Sequence, residues 1–441
     1  MRARYLVLGL LVLLSIITYL DRVCVSVAGP RIRTELDIGP EQWGWVLGAF
    51  VLAYGLFEIP SGALGDRTGQ HKTLTRIVLW WSAFTALTGA VSSLAGLLVV
   101  RFLFGAGEAG AYPNMAGSIG RWFPATERAR ANGAVWAASR VGGALAPVSV
   151  VPLMVVIGWR GTFFLFGAVG LVWAAVWAVW YRDRPARYPD VTPGESAKTG
   201  AASRPGDPAA VPWGRLIRSR RLWLIMAMYW CYVWGSVFYL TWFPEYLMKG
   251  RGLTEQEVAA PAALPFVLGA AGNLAGGFLS DRLTRRYGPG VGRRLVGSVC
   301  LALSATLLLA TASTTGTVSG VVLLALGFGI MDCMLPAAWA VCLDVGEPYA
   351  GAVTGAMNTA GQAGGLACTV LFGCLVERYG DYNVPLVLIA TMVLASAVLF
   401  GMIDPTGRLL PAGGEPVAVE EAACAYRIKL GQRTRNPLSG L

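Results

Sequence analysis

The sequence predicts an all-α integral membrane protein: twelve transmembrane helices in two pseudo-symmetric six-helix bundles. Three observations predict this. First, 55% of the 441 residues are apolar, 14% are charged, and the mean hydropathy is +0.56. Ordinary soluble domains are about one quarter charged. Second, the apolar residues gather into twelve runs, each near the roughly 20 helical residues that a bilayer core of about 30 Å requires. Third, the two halves of the chain repeat each other. This composition excludes a soluble enzyme, a disordered chain and a nucleic-acid-binding domain. The net charge of +11 reads as a topology signal, because Lys and Arg accumulate on the cytoplasmic side of membrane proteins.

The elements follow in order. Run 5–28 continues far past the apolar region of a secretory leader and shows no small-residue cleavage site, so it is read as span 1. Runs 44–64, 73–92, 96–118, 131–156 and 161–181 complete the first bundle, residues 1–181. Residues 182–220 are rich in Pro, Gly, Ser and Arg without apolar periodicity and predict a flexible cytoplasmic linker. Runs 221–243, 258–280, 295–312, 318–343, 351–375 and 383–403 form the second bundle, residues 221–403. Several are interrupted by Gly or Pro, which spanning helices tolerate. Residues 404–441 predict a disordered cytoplasmic tail. With both ends inside, 27 Lys and Arg fall on the inner side, 6 fall in the outer loops, and Arg22, Arg101 and Arg140 remain inside spans. That bias sets both termini in the cytoplasm.

The repeat is visible residue by residue. Gly62-Ala63-Leu64-Gly65-Asp66-Arg67 matches Gly277-Phe278-Leu279-Ser280-Asp281-Arg282 at four of six positions, each after the second span of its half. Asn132 to Leu145 aligns without gaps to Thr354 to Ala367, so that Gly133, Ala134, Ala138, Gly142 and Gly143 meet Gly355, Ala356, Ala360, Gly364 and Gly365. Small residues at this spacing let helices approach closely. Parallel repeats related by an axis along the membrane normal suit a rocking transporter with its site between the halves.

Catalytic and metal chemistry find no footing. The eight cysteines form no C-x-x-C pair, and seven of them (Cys24, Cys231, Cys300, Cys333, Cys342, Cys368, Cys374) lie in or beside apolar stretches, as unpaired buried thiols do. There is no H-E-x-x-H, G-x-S-x-G or P-loop pattern. No enzyme activity, cofactor or metal is expected. His71 is the only histidine and is assigned to a cytoplasmic loop as a solvated residue, so a proton route through the membrane must use carboxylates.

An ionisable residue at a helix centre costs about 2.5–3.5 kcal/mol to insert, so it faces a cavity or a partner. The first half holds Arg22, Arg101 and Arg140 with Asp21, Glu58 and Glu108, a formal sum of zero. An anion then enters without surplus negative charge only if an acid takes a proton. Protonating one carboxylate frees an arginine for a substrate carboxylate, which is a charge-balance case for proton–anion symport. The second half holds Asp332 alone in span 10, with Asp344 near the end of that span. The first half therefore handles charge, and the second recognises the rest of the substrate.

Several motifs are familiar in series. Gly62-Ala-Leu-Gly-Asp66-Arg67-Thr-Gly69-Gln-His71-Lys72 resembles the loop 2–3 signature of the major facilitator superfamily, G-x-L-x-D-R-x-G-x-[RK]-[RK], with His71 in place of one basic residue. Tyr19-Leu-Asp21-Arg22-Val-Cys-Val-Ser26-Val-Ala28 is similar to the Y-x-D-R-x-N-x-S-x-A stretch of that superfamily's anion:cation symporter family, with Cys24 for Asn. Arg101-Phe-Leu-Phe-Gly105-Ala-Gly107-Glu108, Arg121-Trp122-Phe123-Pro124, Trp242-Phe243-Pro244-Glu-Tyr246-Leu247 and Gly355-Ala-Met-Asn358 extend the resemblance over both halves. The family carries organic anions such as hexuronates, aldonates, sialic acid and glutamate, and also inorganic phosphate. Many members couple uptake to protons.

The resemblance implies roles. Arg22 matches the arginine that binds the substrate carboxylate, which its planar fork grips bidentately. Asp21 and Glu108 match the proton-carrying acids. Trp339, Asn358 and Gln362 match substrate-contact positions in spans 10 and 11, with Tyr239 a weaker candidate. Tyr54, one helical turn before Glu58 on the same face of span 2, joins the substrate contacts. Asp66 and Arg67, with Asp281 and Arg282 as counterparts, match gate residues. Arg101 lies seven residues before Glu108 on roughly the same face and is assigned to gating rather than to substrate. Arg140 aligns with Gln362 in the internal repeat, which suggests a cavity-facing position. Two readings stay open for it: a grip on a second anionic group of the substrate, or mutual neutralisation with Glu58.

The expected function is proton-coupled uptake of an organic anion, a sugar acid such as a hexuronate or aldonate, by a monomer in the bacterial inner membrane. Its partners are the anion, protons and the lipid bilayer, with no nucleic acid. The alternatives are exchange or facilitated diffusion of anions, an efflux carrier of the same fold, and a non-transporting sensor. A drug–proton antiporter is disfavoured because Gly142-Gly143 precedes Pro147, the reverse of its span-5 order.

Overall fold

The computed structural model describes residues 2–183 and 211–409, and the elements in them are helical, with no strand among the described residues. Apolar side chains dominate the helices and leave no polar face long enough for a solvated surface. Such a chain satisfies its backbone polar groups internally, as the bilayer demands. The first half contains α1 (Arg2–Leu36), α2 (Pro40–Thr68), α3 (Gln70–Thr88), α4 (Leu94–Glu108), α5 (Ala111–Trp122) and α6 (Arg128–Trp180). The second contains α7 (Arg220–Thr241), α8 (Glu255–Tyr287), α9 (Pro289–Ser313), α10 (Thr317–Asp332), α11 (Leu335–Gly346), α12 (Ala350–Tyr379) and α13 (Asn383–Met402).

These helices make twelve passes. Span 4 is built from α4 and α5, broken at Ala109-Gly110, and span 10 from α10 and α11, broken at Cys333-Met334. The two breaks fall at equivalent places in the two halves, as the repeat requires. Spans 5 and 6 are the two arms of α6, which meet at a kink inside the expected 157–160 interval, at Gly158, whose φ of 71° is open to glycine and strained for other residues. His71 differs from expectation: it stands in the first turn of α3, half-buried, with Nε2 2.8 Å from the Ala178 carbonyl and its ring stacked on Tyr181. Ten helical stretches among the described residues are long and apolar enough to cross a membrane by themselves. The passes outside that set are α3 and the first arm of α6, which carry Lys72 and Arg76, and Arg128, Arg130 and Arg140. The expected linker is described at residues 182–183 and from residue 211, with a short helix at Trp213–Leu216, and the expected tail only to residue 409.

Within the first half α1 and α3 pack on α6, and α2 packs on α4; within the second α7 packs on α12 and α13, and α9 on α13. The halves meet along α2 with α12 and along α6 with α8. Gly62 and Gly351 face each other at the first seam, where a Cβ on either would overlap the other's carbonyl oxygen. Hydrogen bonds and ring contacts join the halves from mid-depth, at Arg140–Asp332, Glu58–Asn358 and Trp136–Trp339, to one end of the molecule, at Ala129, Arg130, Gly351 and Ala352. That end carries the α2–α3 and α8–α9 turns and most of the Lys and Arg; it is called the basic end below.

The kink gives a stability prediction. Gly158→Val places a β-branched residue in left-handed backbone at a cost of at least about 1–2 kcal/mol. Thermal unfolding in detergent is expected to fall by roughly 2–5 °C. Gly9→Ala, in a helix with nothing within 4 Å of the added methyl, is expected to leave the midpoint unchanged or slightly raised. Equal midpoints for the two variants would show that the kink stores no glycine requirement.

Candidate substrate and coupling site

The charged cluster forms where α1 crosses the end of α4. Asp21 and Arg22 sit at mid-length in α1, and Glu108 is the last residue of α4 before the break. Arg22 Nε donates to Glu108 Oε1 at 2.6 Å. The guanidinium lies over the rings of Tyr54 (4.6 Å), Phe50 (5.5 Å), Tyr19 (5.6 Å) and Tyr112 (5.9 Å). Its side chain keeps 20% exposure while that of Glu108 keeps 1%. Arg22 Nη2 and Glu108 Oε2 are buried without hydrogen-bond partners. Arg101, two turns before Glu108, is buried against Phe104 and Phe50, and its Nε is also unpartnered. Both carboxylate oxygens of Asp21 are buried and unbonded, with Trp81 and Thr85 of α3 beside them. Four charged side chains thus share one region with a single short ion pair among them.

An aromatic wall joins this cluster to the second half. Tyr112 stacks on Trp136 (4.5 Å), Trp136 packs on Trp339 (5.3 Å), and Tyr19 meets Tyr112 edge-on (6.5 Å). Trp339, on α11, is buried with its indole Nε1 unpartnered. Tyr54 is buried beside Arg22. Gln362 is half-buried and makes no hydrogen bond among the described residues. Tyr239 donates to the Leu324 carbonyl at 2.8 Å, a structural bond inside the second half.

Arg140 and Glu58 do not neutralise each other, contrary to one of the two readings above. Arg140 reaches across the halves to Asp332, with Nε to Oδ2 at 2.8 Å and Nη2 to Oδ1 at 3.1 Å. Tyr232 Oη and Asn273 Nδ2 donate to the same carboxylate at 3.1 and 3.0 Å. Asp332 is therefore not alone: donors from α6, α7 and α8 converge on it. Glu58 accepts from Asn358 Nδ2 on α12. Both pairings cross a seam that no local spacing reveals. Tyr112, Trp136, Tyr232 and Asn273 escaped sequence reasoning for the same cause, although Trp136 does lie inside the aligned repeat.

The basic end is held by two equivalent devices. Asp66 accepts from the Gly351 and Ala352 amides, both at 2.8 Å, at the start of α12. Asp281 accepts from the Ala129 and Arg130 amides, at 3.3 and 2.8 Å, at the start of α6. Residues 129 and 130 are the repeat equivalents of 351 and 352. A carboxylate at a helix N-terminus meets unsatisfied N–H groups and the positive end of the helix dipole. Arg67 and Arg282 are exposed and make no hydrogen bond or ion pair among the described residues. Arg293 and Arg128 make the guanidinium contacts instead: Arg293 reaches Asp281 at 2.7 Å and Asp344 at 3.3 Å, and Arg128 reaches Asp344 at 2.8 Å.

The Arg140–Asp332 pair gives a test of coupling. Removing one partner of a buried pair leaves an uncompensated charge and costs about 3–5 kcal/mol. Arg140→Gln and Asp332→Asn are each expected to lower the thermal midpoint strongly. The double variant is expected to recover part of that loss, with a coupling energy of about 1–3 kcal/mol. Strictly additive losses would mean that the two side chains do not interact energetically.

Comparison with known proteins bears on the family and the fold. The sequence pattern of the Major Facilitator Superfamily matches residues 11–369. The probable sulfoacetate transporter of Cupriavidus necator is 36% identical over 92% of this chain and 94% of its own. The hexuronate transporter of Bacillus subtilis is 30% identical over 92% of this chain and 96% of its own. Among solved structures, the human organic anion transporter MFSD10 superposes with a TM-score of 0.68 at 16% identity, covering 90% of this chain and 99% of that one. The Escherichia coli fucose:proton symporter superposes with a TM-score of 0.66 at 14% identity, covering 90% and 98%. At those identities the structures speak for the fold alone. The family pattern, the similarity to these relatives along nearly the whole chain and the fold agree: this multi-pass membrane protein belongs to the Major Facilitator Superfamily.

Proposed function

We propose that the chain is a secondary transporter that takes up a small organic anion, a sugar acid foremost, together with protons by alternating access. The observation that carries the reading is the Arg22–Glu108 pair. The guanidinium suited to a substrate carboxylate is held by an internal carboxylate that retains an unbonded oxygen. Protonating Glu108 weakens that hold and frees Arg22 for the incoming anion, so proton and anion bind together. Charge balance points the same way. With Asp332 included, the mid-depth region holds Asp21, Glu58, Glu108 and Asp332 against Arg22, Arg101 and Arg140. An anion entering a region already short of positive charge requires a proton more strongly than the first-half sum alone suggested. Relatives named as hexuronate, galactarate/D-glucarate and sulfoacetate transporters support the substrate class.

In this reading Arg22, Tyr54, Trp339, Asn358 and Gln362 contact the substrate, and Asp21 and Glu108 carry protons. Arg140 joins them only in states where Asp332 releases it. Residues 1–181 and 221–403 rock against each other about the site. The basic end is cytoplasmic by its Lys and Arg excess, so the closed contacts of Asp66 and Asp281 correspond to a carrier facing the opposite side. Asp66 and Asp281 act as the gate, with Arg293 and Asp344 taking the part first assigned to Arg67 and Arg282. Both termini lie in the cytoplasm of a bacterium, the protein sits in the inner membrane, and one chain suffices.

The test is reconstitution in liposomes with a pH dye inside. D-glucuronate, L-galactonate, galactarate and sulfoacetate are added outside in turn. At least one is expected to acidify the lumen. Arg22→Ala is expected to reduce the response about 10–100-fold, the worth of a lost charged hydrogen bond. Glu108→Gln is expected to abolish acidification while retaining anion counterflow, because the amide mimics the protonated acid. Anion uptake without acidification would replace symport by exchange or facilitated diffusion. No uptake of any anion would reject the carrier reading.

A further inference from the structure

Glu58 stands outside the roles assigned so far. It lies in α2, fully buried, at the seam with α12. The helices are close here: a Cβ on Gly355 of α12 would sit 3.1 Å from the Glu58 carbonyl oxygen and 3.2 Å from Ile59 Cα. Oε1 accepts from Asn358 Nδ2, and Oε2 is buried without a partner. Among the described residues no basic side chain forms an ion pair with it. The titratable and charged groups that face it are Tyr54 of its own helix, Arg22 of α1, Glu108 of α4 and Tyr229 of α7, with the neutral Asn358 on α12. Arg22 is already bonded to Glu108. An ionised carboxylate buried without a cation costs several kcal/mol, so the closed seam favours the neutral acid.

The position adds a second constraint. Glu58 is eight residues, about two helical turns, from Asp66 on the same helix. Asp66 bonds the start of α12, and Glu58 bonds Asn358 further along the same helix. Parting α2 from α12 at the basic end therefore breaks both contacts and brings water to the Glu58 carboxyl. Sodium is a poor occupant, because a hard cation asks for a shell of several oxygens and the Arg22 guanidinium stands among the groups that face Glu58.

We propose that Glu58 is a gate-linked protonation site of this carrier, holding a proton while the α2–α12 seam is closed and releasing it to the basic side as the seam opens. The step is a plain dissociation: the carboxyl O–H bond breaks, the proton passes to water, the Asn358 hydrogen bond is lost, and the carboxylate is left hydrated. Reloading comes from the opposite side, through the Glu108 end of the cluster. The proposal rests on the transporter reading, but its test needs no transport and no anion.

The full-length protein in nanodiscs carries spin labels at Lys72→Cys and Arg285→Cys in a background with the native cysteines replaced. Both positions are exposed at the basic end, one in each half. Label separation is measured without any anion. Raising the pH from about 6 to about 9 is expected to increase the wide-separation population at least about threefold. The direction follows from the neutral acid favouring the closed seam. Glu58→Gln, and as a second non-titrating variant Glu58→Met, are expected to hold the closed distribution at both pH values. A pH response in both variants equal to that of the parent overturns the proposal. So does a parent that responds to sodium at fixed pH and not to pH itself, or one that does not respond at all. Failure of every anion in the liposome assay would reject the carrier reading without touching this measurement.

Discussion

A charge placed at mid-depth in a bilayer must find a partner or lose its charge, and the architecture of this protein is organised around that constraint. Seven ionisable side chains lie there, four acidic and three basic. Their partners come from different helices, so satisfying each one fixes a helix–helix relation. Arg22 with Glu108 joins α1 to α4, Arg140 with Asp332 joins α6 to α10, and Glu58 with Asn358 joins α2 to α12. Two of these three links cross between the halves. Apolar packing alone would give the halves little reason to choose one relative position, since lipid is as apolar as leucine. The polar links supply that choice.

The links differ in how completely they are satisfied, and the difference separates struts from movable parts. The Asp332 carboxylate receives four hydrogen bonds on its two oxygens, from Arg140 twice, Tyr232 and Asn273. Such a saturated network is costly to dismantle. The Arg22–Glu108 pair leaves one buried atom unbonded on each partner, and Asp21 leaves two. Incompletely satisfied groups gain by accepting a proton or a ligand. At the basic end the contacts are different again: aspartates hold backbone amides at helix starts, so separation exposes groups that water can satisfy immediately. Under the proposed function, this is what lets the same contacts hold firmly and still part.

Much of this was legible in the chain. The twelve passes, the internal repeat and the charged positions follow from apolar run length and from residues that hydropathy does not explain. The repeat even locates the second aspartate contact, because residues 129–130 align with 351–352 and both pairs of amides meet an aspartate. The pairings were not legible. Arg140 and Asp332 are 192 residues apart, and periodicity within one helix says nothing about which face of a distant helix it meets. Glu58 and Arg140 were candidates for each other because they were the two charges without a motif. Space gave each a partner in the other half. The guanidinium partner of Asp281 was not legible for a related reason. Arg67 and Arg282 are adjacent to the motif aspartates, yet consecutive residues on a helix point about 100° apart. Arg293, from the next helix, has the required direction. The break between spans 5 and 6 was legible as the interval 157–160, where a single residue of positive φ, Gly158, turns the chain.

The division of labour between the halves also takes a different form from the one charge counting suggests. Counting placed the charge chemistry in the first half and neutral recognition in the second. Asp332 breaks that symmetry, since the second half contributes a carboxylate whose counter-ion is Arg140 of the first. The consequence is electrostatic. Arg140 is matched internally, so the positive charge left to meet an anion lies on the α1–α4 side, with Arg22 and Arg101. The aromatic wall of Tyr112, Trp136 and Trp339 links that side to the second half, and under the proposed function its faces suit the carbon skeleton and hydroxyls of a sugar acid better than a second charge. In that proposed reading, a carboxylate at Arg22 and a polar body against the wall is the orientation that leaves the Asp332 network intact.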